Sequence, residues 1–385
     1  MDERIHKEGY LDFDEYIRQG EPSQKEKAGY WQTAIGLQAV DGLKTSDYLK
    51  ATARKHIEGE IDIDEARELI KAYYRSKTVR EPDDEERQEA DKASANITKI
   101  LSSNTFDFSP NGLISLHRRI FEGVFKHAGK LRDYDITKKE WVLEGDTVNY
   151  LNWEDLRMAL SYDIEQERKF SYKGISQDDM IAHLASFVSG IWQIHAFGEG
   201  NTRTTAVFTI LYLRHIGFKV TNDMFAQHSW YFRNALVRAN YKNAMKGVNY
   251  SPVYLERFFR NLLLDDQWDL RNRYLHIRPT AEWSVQPNLT TSEHTPNKYR
   301  TSTEQVRLLV SVIGKDHLSL KQMMERTHLK HRPNFIDNYL TPAISDGYVR
   351  LLYPDKPRHP RQKYLLAEKG MALFFELTNS ESEYG

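Results

Sequence analysis

The segment 206–216, "AVFTILYLRHI", constrains this chain more than any other. It is apolar on almost every side of a helix and closes at Gly217. A helix of that kind has to be enclosed by other helices, so it marks the middle of a helical domain. The segment before it, "SQDDMIAHLASFVSGIWQI", opens with Ser176 and Asp179 at capping-box spacing. Its apolar residues Met180, Ile181, Leu184, Phe187, Val188 and Trp192 run up to His195. Between the two helices lies "HAFGEGNTR", residues 195–203. Polar side chains seldom crowd together where a chain crosses a core, so the loop is expected to carry chemistry.

With 385 residues the chain is too long for one ordinary core, and two or three folded units are expected. Lys and Arg total 54 against 55 Asp and Glu, so any contact with nucleic acid has to be a local patch. There is no cysteine, which excludes disulfides and thiolate metal sites and fits a reducing compartment. The first twenty residues are charged and lack a signal-like apolar run. Arg214 and His215 interrupt the apolar run after the loop, so no membrane span is expected. These features point to a cytoplasmic protein without a membrane partner. They leave a homo-oligomer open.

Residues 1–25 read as a polar arm. Helical patterns follow over 28–74: "YWQTAIGLQAV" stops at Asp41 and Gly42, a second segment stops at Gly59, and Ile63, Ala66, Leu69, Ile70 and Tyr73 share one face of a third. This small unit (26–80) should lie on something larger. Helical periodicity dominates 84–264 except at "KKEWVLEGDTVNY", 138–150, where alternation around Trp141, Leu143 and Val148 and the turn at Glu144-Gly145-Asp146 predict a short β-hairpin. Residues 265–300, with three prolines, read as a linker. Residues 301–378 form another unit: helices over 304–313, 319–327 and 333–345, then "YVRLLY" and "KYLLAE" as a hairpin, the order of a winged helix.

The loop residues can be read by chemical type. His195 ends a buried helix and suits the role of a base that takes a proton from a hydroxyl. Gly200, Asn201, Thr202 and Arg203 stand at a helix start, where free backbone N–H groups and the dipole favour an anion. Gly200 allows close approach, and Arg203 matches phosphate oxygens. Glu199 beside an anion implies a cation between them, as Mg²⁺ is held by a carboxylate and phosphate oxygens. Together these groups describe phosphoryl or nucleotidyl transfer to a hydroxyl.

The loop resembles the Fic family signature, H-[PA]-F-x-[DE]-G-N-G-R-x-x-R, with His195 through Arg203 matching it and Ala206 where the second arginine would stand. The resemblance extends over residues 84–264, since "HAGKLRDYDIT" (127–137) and the hairpin also look like Fic features. It implies a mainly α fold: a Fic helical core with a hairpin flap, an antitoxin-like helical region before it and a winged helix after it. The glycine after Glu199 is similar to that of family members that move AMP from ATP onto a Ser, Thr or Tyr hydroxyl; the phosphate-transferring Doc branch has Lys there. The resemblance implies His195 as general base, Phe197 as the loop's anchor, Glu199 as Mg²⁺ ligand, and Asn201 and Arg203 as phosphate ligands. Lys138, Trp141, Val142, Leu143 and Val148 would form a flap that aligns the target protein by strand addition. Tyr231 and Asn234 would line the adenine site.

Two departures from the family pattern matter. Thr202 replaces a glycine, and Ala206 replaces the arginine that an inhibitory Glu engages in an [ST]-x-x-x-E-[GN] helix. In "IGLQAVDGL", Leu37 stands at the Ser/Thr position and Asp41, followed by Gly42, at the Glu position. An Asp facing an Ala forms no ion pair, so nucleotide binding is expected to be constitutive or weakly regulated. In the winged-helix unit, Arg350, Lys356, Arg358, Arg361 and Lys363, with Lys330, His331 and Arg332, could meet DNA phosphates. The leading expectation is a protein adenylyltransferase using ATP and Mg²⁺. The alternatives are another nucleotidyl or phosphate transfer, removal of AMP at the same site, or a DNA-binding regulator whose core senses nucleotide.

Overall fold

The structure is a computed structural model that describes residues 13–79, 81–103, 105–220, 223–277, 304–329, 332–352 and 362–382. The chain divides into two compact units, Met1–Gln286 and Pro287–Gly385. In the first, helices α1 (Asp14–Gln19), α2 (Pro22–Gly36), α3 (Asp47–Glu58) and α4 (Ile63–Ser76) share a small core. Phe13, Trp31, Leu49, Ile57 and Ile70 are buried in it, and Trp31 Nε1 donates to His56 Nδ1 at 3.0 Å. The stretch read as a polar arm therefore holds α1 and the start of α2, whose Glu21 and Gln24 make a reciprocal cap. A single 3₁₀ turn, Leu37–Asp41, continues α2 and stops at Gly42, which takes the left-handed conformation (φ 76°) that glycine tolerates.

The larger core of this unit is built from α5 (Asp84–Leu101), α6 (Pro110–Ile120), α7 (Leu156–Lys169), α8 (Gln177–Ile194), α9 (Asn201–His215), α10 (Asp223–Gln227), α11 (Ser229–Ala239) and α12 (Val253–Leu264). Helix α9 is buried along its whole length from Asn201 to Leu213, as its apolar surface requires. Ser176 caps α8 by accepting the Asp179 N–H at 3.1 Å. Two contacts seat the 3₁₀ turn on this core. Ser229 Oγ donates to the Gly36 carbonyl at 2.8 Å, and a Cβ on Gly36 would lie 2.5 Å from the Ala226 carbonyl oxygen.

The chain reverses over 138–150 as expected, but not as paired strands. Its neck closes where the Glu140 N–H donates to the Asp146 carbonyl and the Gly145 N–H to the Glu140 carbonyl, at 2.9 and 3.0 Å. Its tip is a 3₁₀ turn, Trp141–Leu143, followed by left-handed Glu144. The alternation that suggested strands has another cause: Val142, Leu143 and Val148 are buried in the main core, while Trp141 stays exposed. The start of the expected linker also packs. A 3₁₀ turn, Asn272–Leu275, buries Leu275, whose carbonyl accepts from Arg238 at 2.6 Å.

The second unit follows the expected order: α13 (Glu304–Ile313), α14 (Leu320–Thr327), a helical stretch made of α15 (Arg332–Phe335), a π turn (Ile336–Leu340) and α16 (Thr341–Ser345), then β1 (Val349–Leu351) and β2 (Tyr364–Leu366). The two strands pair antiparallel, with Arg350 opposite Leu365. A final helix, α17 (Glu368–Ser382), follows the elements of the expected order and packs Leu373 into this core. Arg332, Arg350 and Lys363 of the basic set are described, whereas Lys330, His331, Lys356, Arg358 and Arg361 lie outside the described residues. Among the described residues no helix is long and apolar enough to cross a membrane.

Candidate functional site

The site begins where α8 stops. His195 is its C-cap in a left-handed conformation (φ 49°, ψ 54°), which a residue with a Cβ adopts only when its surroundings hold it. Arg132 is what holds it. Its side chain is fully enclosed and donates to the carbonyls of His195 (2.7 Å), Tyr134 (2.6 Å), Ile194 (3.3 Å) and Leu151. A buried cation on the last carbonyls of α8 also suits the negative end of the helix dipole.

His195 is 2% exposed. Its Nδ1 lies 3.3 Å from the Trp192 carbonyl, which can only accept, so Nδ1 carries the proton. Nε2 is left with a free lone pair and has no protein partner among the described residues. Burial, and after it the nearby Lys138, holds the imidazole pKa well below the ordinary histidine value, so the ring is neutral at neutral pH. Tyr150 covers it, with ring centroids 4.0 Å apart. The Tyr150 hydroxyl donates to Glu140 at 3.1 Å, and buried Glu140 pairs with Arg233 of α11 at 2.9 Å. The 138–150 reversal is thereby anchored over the histidine.

The next residues fold back on themselves. Asn201 closes the loop with both ends of its amide: Oδ1 accepts the Phe197 N–H at 3.0 Å and Nδ2 donates to the Phe197 carbonyl at 2.6 Å. Its side chain is thus spent on the loop and not free for a phosphate, which corrects the expected role; only its backbone N–H remains for that purpose. Thr202 also turns inward, accepting from Trp192 Nε1 at 3.0 Å. Phe197 stacks on His117 of α6 at 3.8 Å, the anchoring expected of it. Gly200 is left-handed (φ 72°), and a Cβ there would lie 2.3 Å from ring atoms of Phe121, so glycine is required at this position. No side chain caps α9, which leaves the N–H groups of its first turn to other acceptors.

Arg203 is the largest departure from expectation. Its side chain is buried, and every edge of its guanidinium is engaged. Nε faces Asp41 at 2.7 Å, Nη1 donates to Gln38 Oε1 at 2.9 Å, Nη2 meets Glu89 of α5 at 2.6 Å, and the plane lies over Phe121 at 4.7 Å. Asp41 therefore faces Arg203, not position 206, and the expectation that it has no arginine to pair with is overturned. The reason is local: the 3₁₀ turn seated on α10 and α11 presents Gln38 and Asp41 together to the first turn of α9.

Glu199 is exposed and is the metal candidate. Among the described residues no three His, Asp or Glu side chains cluster to hold a metal unaided. One exposed carboxylate beside free helix N–H groups fits Mg²⁺ shared with phosphate oxygens. Lys138 is half-buried with its pKa lowered, first by burial, and it lies in the field of Asp41, Arg233, Glu140 and Glu199. The rest of the expected flap is less available than the sequence suggested. Val142 and Leu143 are core residues, the Val142 carbonyl already accepts the Ile277 N–H at 2.9 Å, and the Lys138 N–H donates to Thr147 Oγ1 at 3.2 Å. Trp141 packs against His276 with ring centroids 5.3 Å apart. Tyr231 and Asn234 are also buried and bond to the Tyr254 carbonyl (3.2 Å) and to Asn272 (2.8 Å), not to the loop. Sequence reasoning missed His117, Arg132, Glu89 and Gln38. Arg132 and Gln38 carried a signal, since they lie in the quoted stretches "HAGKLRDYDIT" and "IGLQAVDGL".

The model of the Fic/DOC family matches residues 107–213, and that of the Filamentation induced by cAMP protein Fic-like C-terminal domain matches residues 304–367. Protein adenylyltransferase VbhT of Bartonella schoenbuchensis is 20% identical over 241 residues, covering 58% of this chain and 49% of that protein. The Probable protein adenylyltransferase Fic of Salmonella typhimurium is 26% identical over 120 residues, covering 31% of this chain and 56% of that one. The chain thus spans about half the length of the curated relatives it matches. A Fic family protein from Desulfovibrio desulfuricans, solved by crystallography, aligns over 95% of this chain and 96% of its own at 16% identity, with a TM-score of 0.42. The two matched segments fall one in each of the units described above, so the chain carries a Fic/DOC domain over residues 107–213 and a Fic-like C-terminal domain over residues 304–367.

Proposed function

We propose that this protein transfers AMP from ATP to a hydroxyl side chain of a target protein. The observation that carries this reading is the orphaned Nε2 of His195, held as an acceptor six residues before α9 begins. The target hydroxyl oxygen attacks the α-phosphorus of ATP. An O–P bond forms, the bond from that phosphorus to the bridging oxygen of pyrophosphate breaks, and the hydroxyl proton passes to Nε2. Backbone N–H groups at the start of α9 face the phosphates, with Arg203 in the same turn as a further donor once it is free. Glu199 would hold Mg²⁺, which when bound offsets the charge of the phosphates. Asp41 and Gln38 occupy the guanidinium edges that a phosphate would take, so nucleotide has to displace them. The relatives named protein adenylyltransferase support the same chemistry.

The test is incorporation of label into protein from ATP labelled at the α- or the γ-phosphate. Label is expected from the α-position only, with wild type and not with His195→Ala. Label from the γ-position, or label that survives the substitution, overturns this reading.

A further inference from the structure

His117 lies one helical turn before Phe121, and both side chains face the loop. The imidazole is fully buried. Its Nδ1 accepts the Gly129 N–H at 2.9 Å, which places the ring proton on Nε2. Nε2 lies 3.1 Å from the Glu199 carbonyl oxygen and donates to it.

The carbonyl that His117 grips belongs to the peptide joining Glu199 to Gly200. That peptide is trans, so its N–H points opposite to its C=O. Fixing the carbonyl toward α6 therefore aims the Gly200 N–H away from α6. Phe121 grips the same residue from a second side, filling the space a Cβ on Gly200 would need. Among the described residues the Gly200 N–H has no protein acceptor, and it continues the run of uncapped donors that begins α9. Glu199's own Cα lies in the same peptide plane.

We propose that His117 is a positioning residue: by holding the Glu199–Gly200 peptide it aims the Gly200 N–H at the phosphate site and orients the Glu199 side chain. This rests on the reading of the loop as a phosphate site. The protein to use is the full chain carrying Asp41→Ala, labelled with ¹⁵N-glycine and ¹⁵N-histidine and titrated with Mg²⁺ and pyrophosphate. The His117 ring should report the Nε2–H tautomer, and the Gly200 amide should shift as pyrophosphate binds. His117→Gln can both accept from Gly129 and donate to Glu199, so it should keep pyrophosphate affinity within about threefold, whereas His117→Leu should lose about tenfold, the scale of one hydrogen bond to a charged partner. Equal losses in the two variants, an Nδ1–H ring, or a Gly200 amide unmoved by bound pyrophosphate overturns the proposal. If His117→Leu does not fold, the wild-type tautomer and the Gly200 amide still decide it. Pyrophosphate binding without transfer of AMP overturns the proposed activity and leaves this inference standing; no pyrophosphate binding overturns both.

Discussion

The two ends of the loop 195–203 are in opposite states. At the first, His195 is buried and oriented, its proton fixed on Nδ1 by the Trp192 carbonyl, and its Nε2 is unused. At the other, Arg203 is equally buried, but its guanidinium is engaged on every edge by Asp41, Gln38 and Glu89. On the proposed reading, the base is prepared and the anion site is occupied. A structure with both ends open would describe an enzyme waiting only for substrate. This one places the obstacle at the arginine, and two of the three groups that make it belong to one 3₁₀ turn beside the small N-terminal core.

The largest effect is expected at the prepared end. His195→Ala should lower AMP transfer by about 10³-fold, the scale of losing a general base, while nucleotide affinity changes little. The pH profile sharpens this. The folded pKa of His195 lies well below 6.5, so the ring is neutral above that range and protonates only as pH falls through the lowered value. Transfer should therefore be flat from pH 8 down to about 6.5 and fall only at more acid pH. A rate that halves between pH 7 and 6.5 would place the working pKa near the unperturbed one and break the contrast between the two ends.

Position 206 tests the occupied end from the inside. Ala206 is completely buried in the main core. Restoring the family's second arginine there would bury a charge and overfill the helix interface, at a cost of about 3–5 kcal/mol. Ala206→Arg should lower the melting temperature by roughly 6 °C or more, taking about 2–4 °C per kcal/mol for a unit of this size. A variant as stable as wild type that also binds ATP more tightly would mean that the arginine finds a way out to the phosphates.

Asp41→Ala addresses the obstacle itself. With the carboxylate gone, Arg203 keeps Glu89 as an orienting partner and gains free edges. The KM for ATP should fall by about tenfold, equivalent to about 1.4 kcal/mol of competition removed. Arg203→Ala added to this variant should reverse the gain. An unchanged KM would show that the Asp41–Arg203 pair does not compete with nucleotide.

What the residues disclosed by themselves divides along the same line. The enclosed helix α9, the loop before it and the stop at Gly42 were legible because periodicity and glycine placement are local signals. Phe197 as anchor was legible by resemblance. The reversal over 138–150 was legible, but the absence of a strand ladder was not, because burial of Val142, Leu143 and Val148 produces the same alternating pattern. Asn201 was assigned to phosphate because a helix-start amide can face either way, and its bonds to Phe197 are visible only once the loop is closed. The pairing of Arg203 with Asp41 was out of reach for a harder reason. It joins residues 162 positions apart, across elements whose docking depends on Gly36 fitting against Ala226. Long-range partners of a buried charge leave no periodic trace, and aligning Asp41 to the usual glutamate pointed it at position 206 instead.

The smallest expected effect links the two ends. Trp192 stands three residues before His195, and its Nε1 donates to Thr202, one residue before Arg203. This bond ties the end of α8 to the start of α9 at the position where the family pattern has glycine. Thr202→Val keeps the shape but leaves the buried Trp192 N–H without an acceptor, at a cost of about 1–2 kcal/mol. The expected loss is about 2–8 °C in melting temperature, with the KM for ATP within about threefold of wild type. If transfer instead falls tenfold at unchanged stability, the tie has a part in aligning base and phosphate. The two ends would then not be independent: loosening the arginine would also move the histidine, and Asp41→Ala and Thr202→Val combined would lose more activity than their separate effects predict.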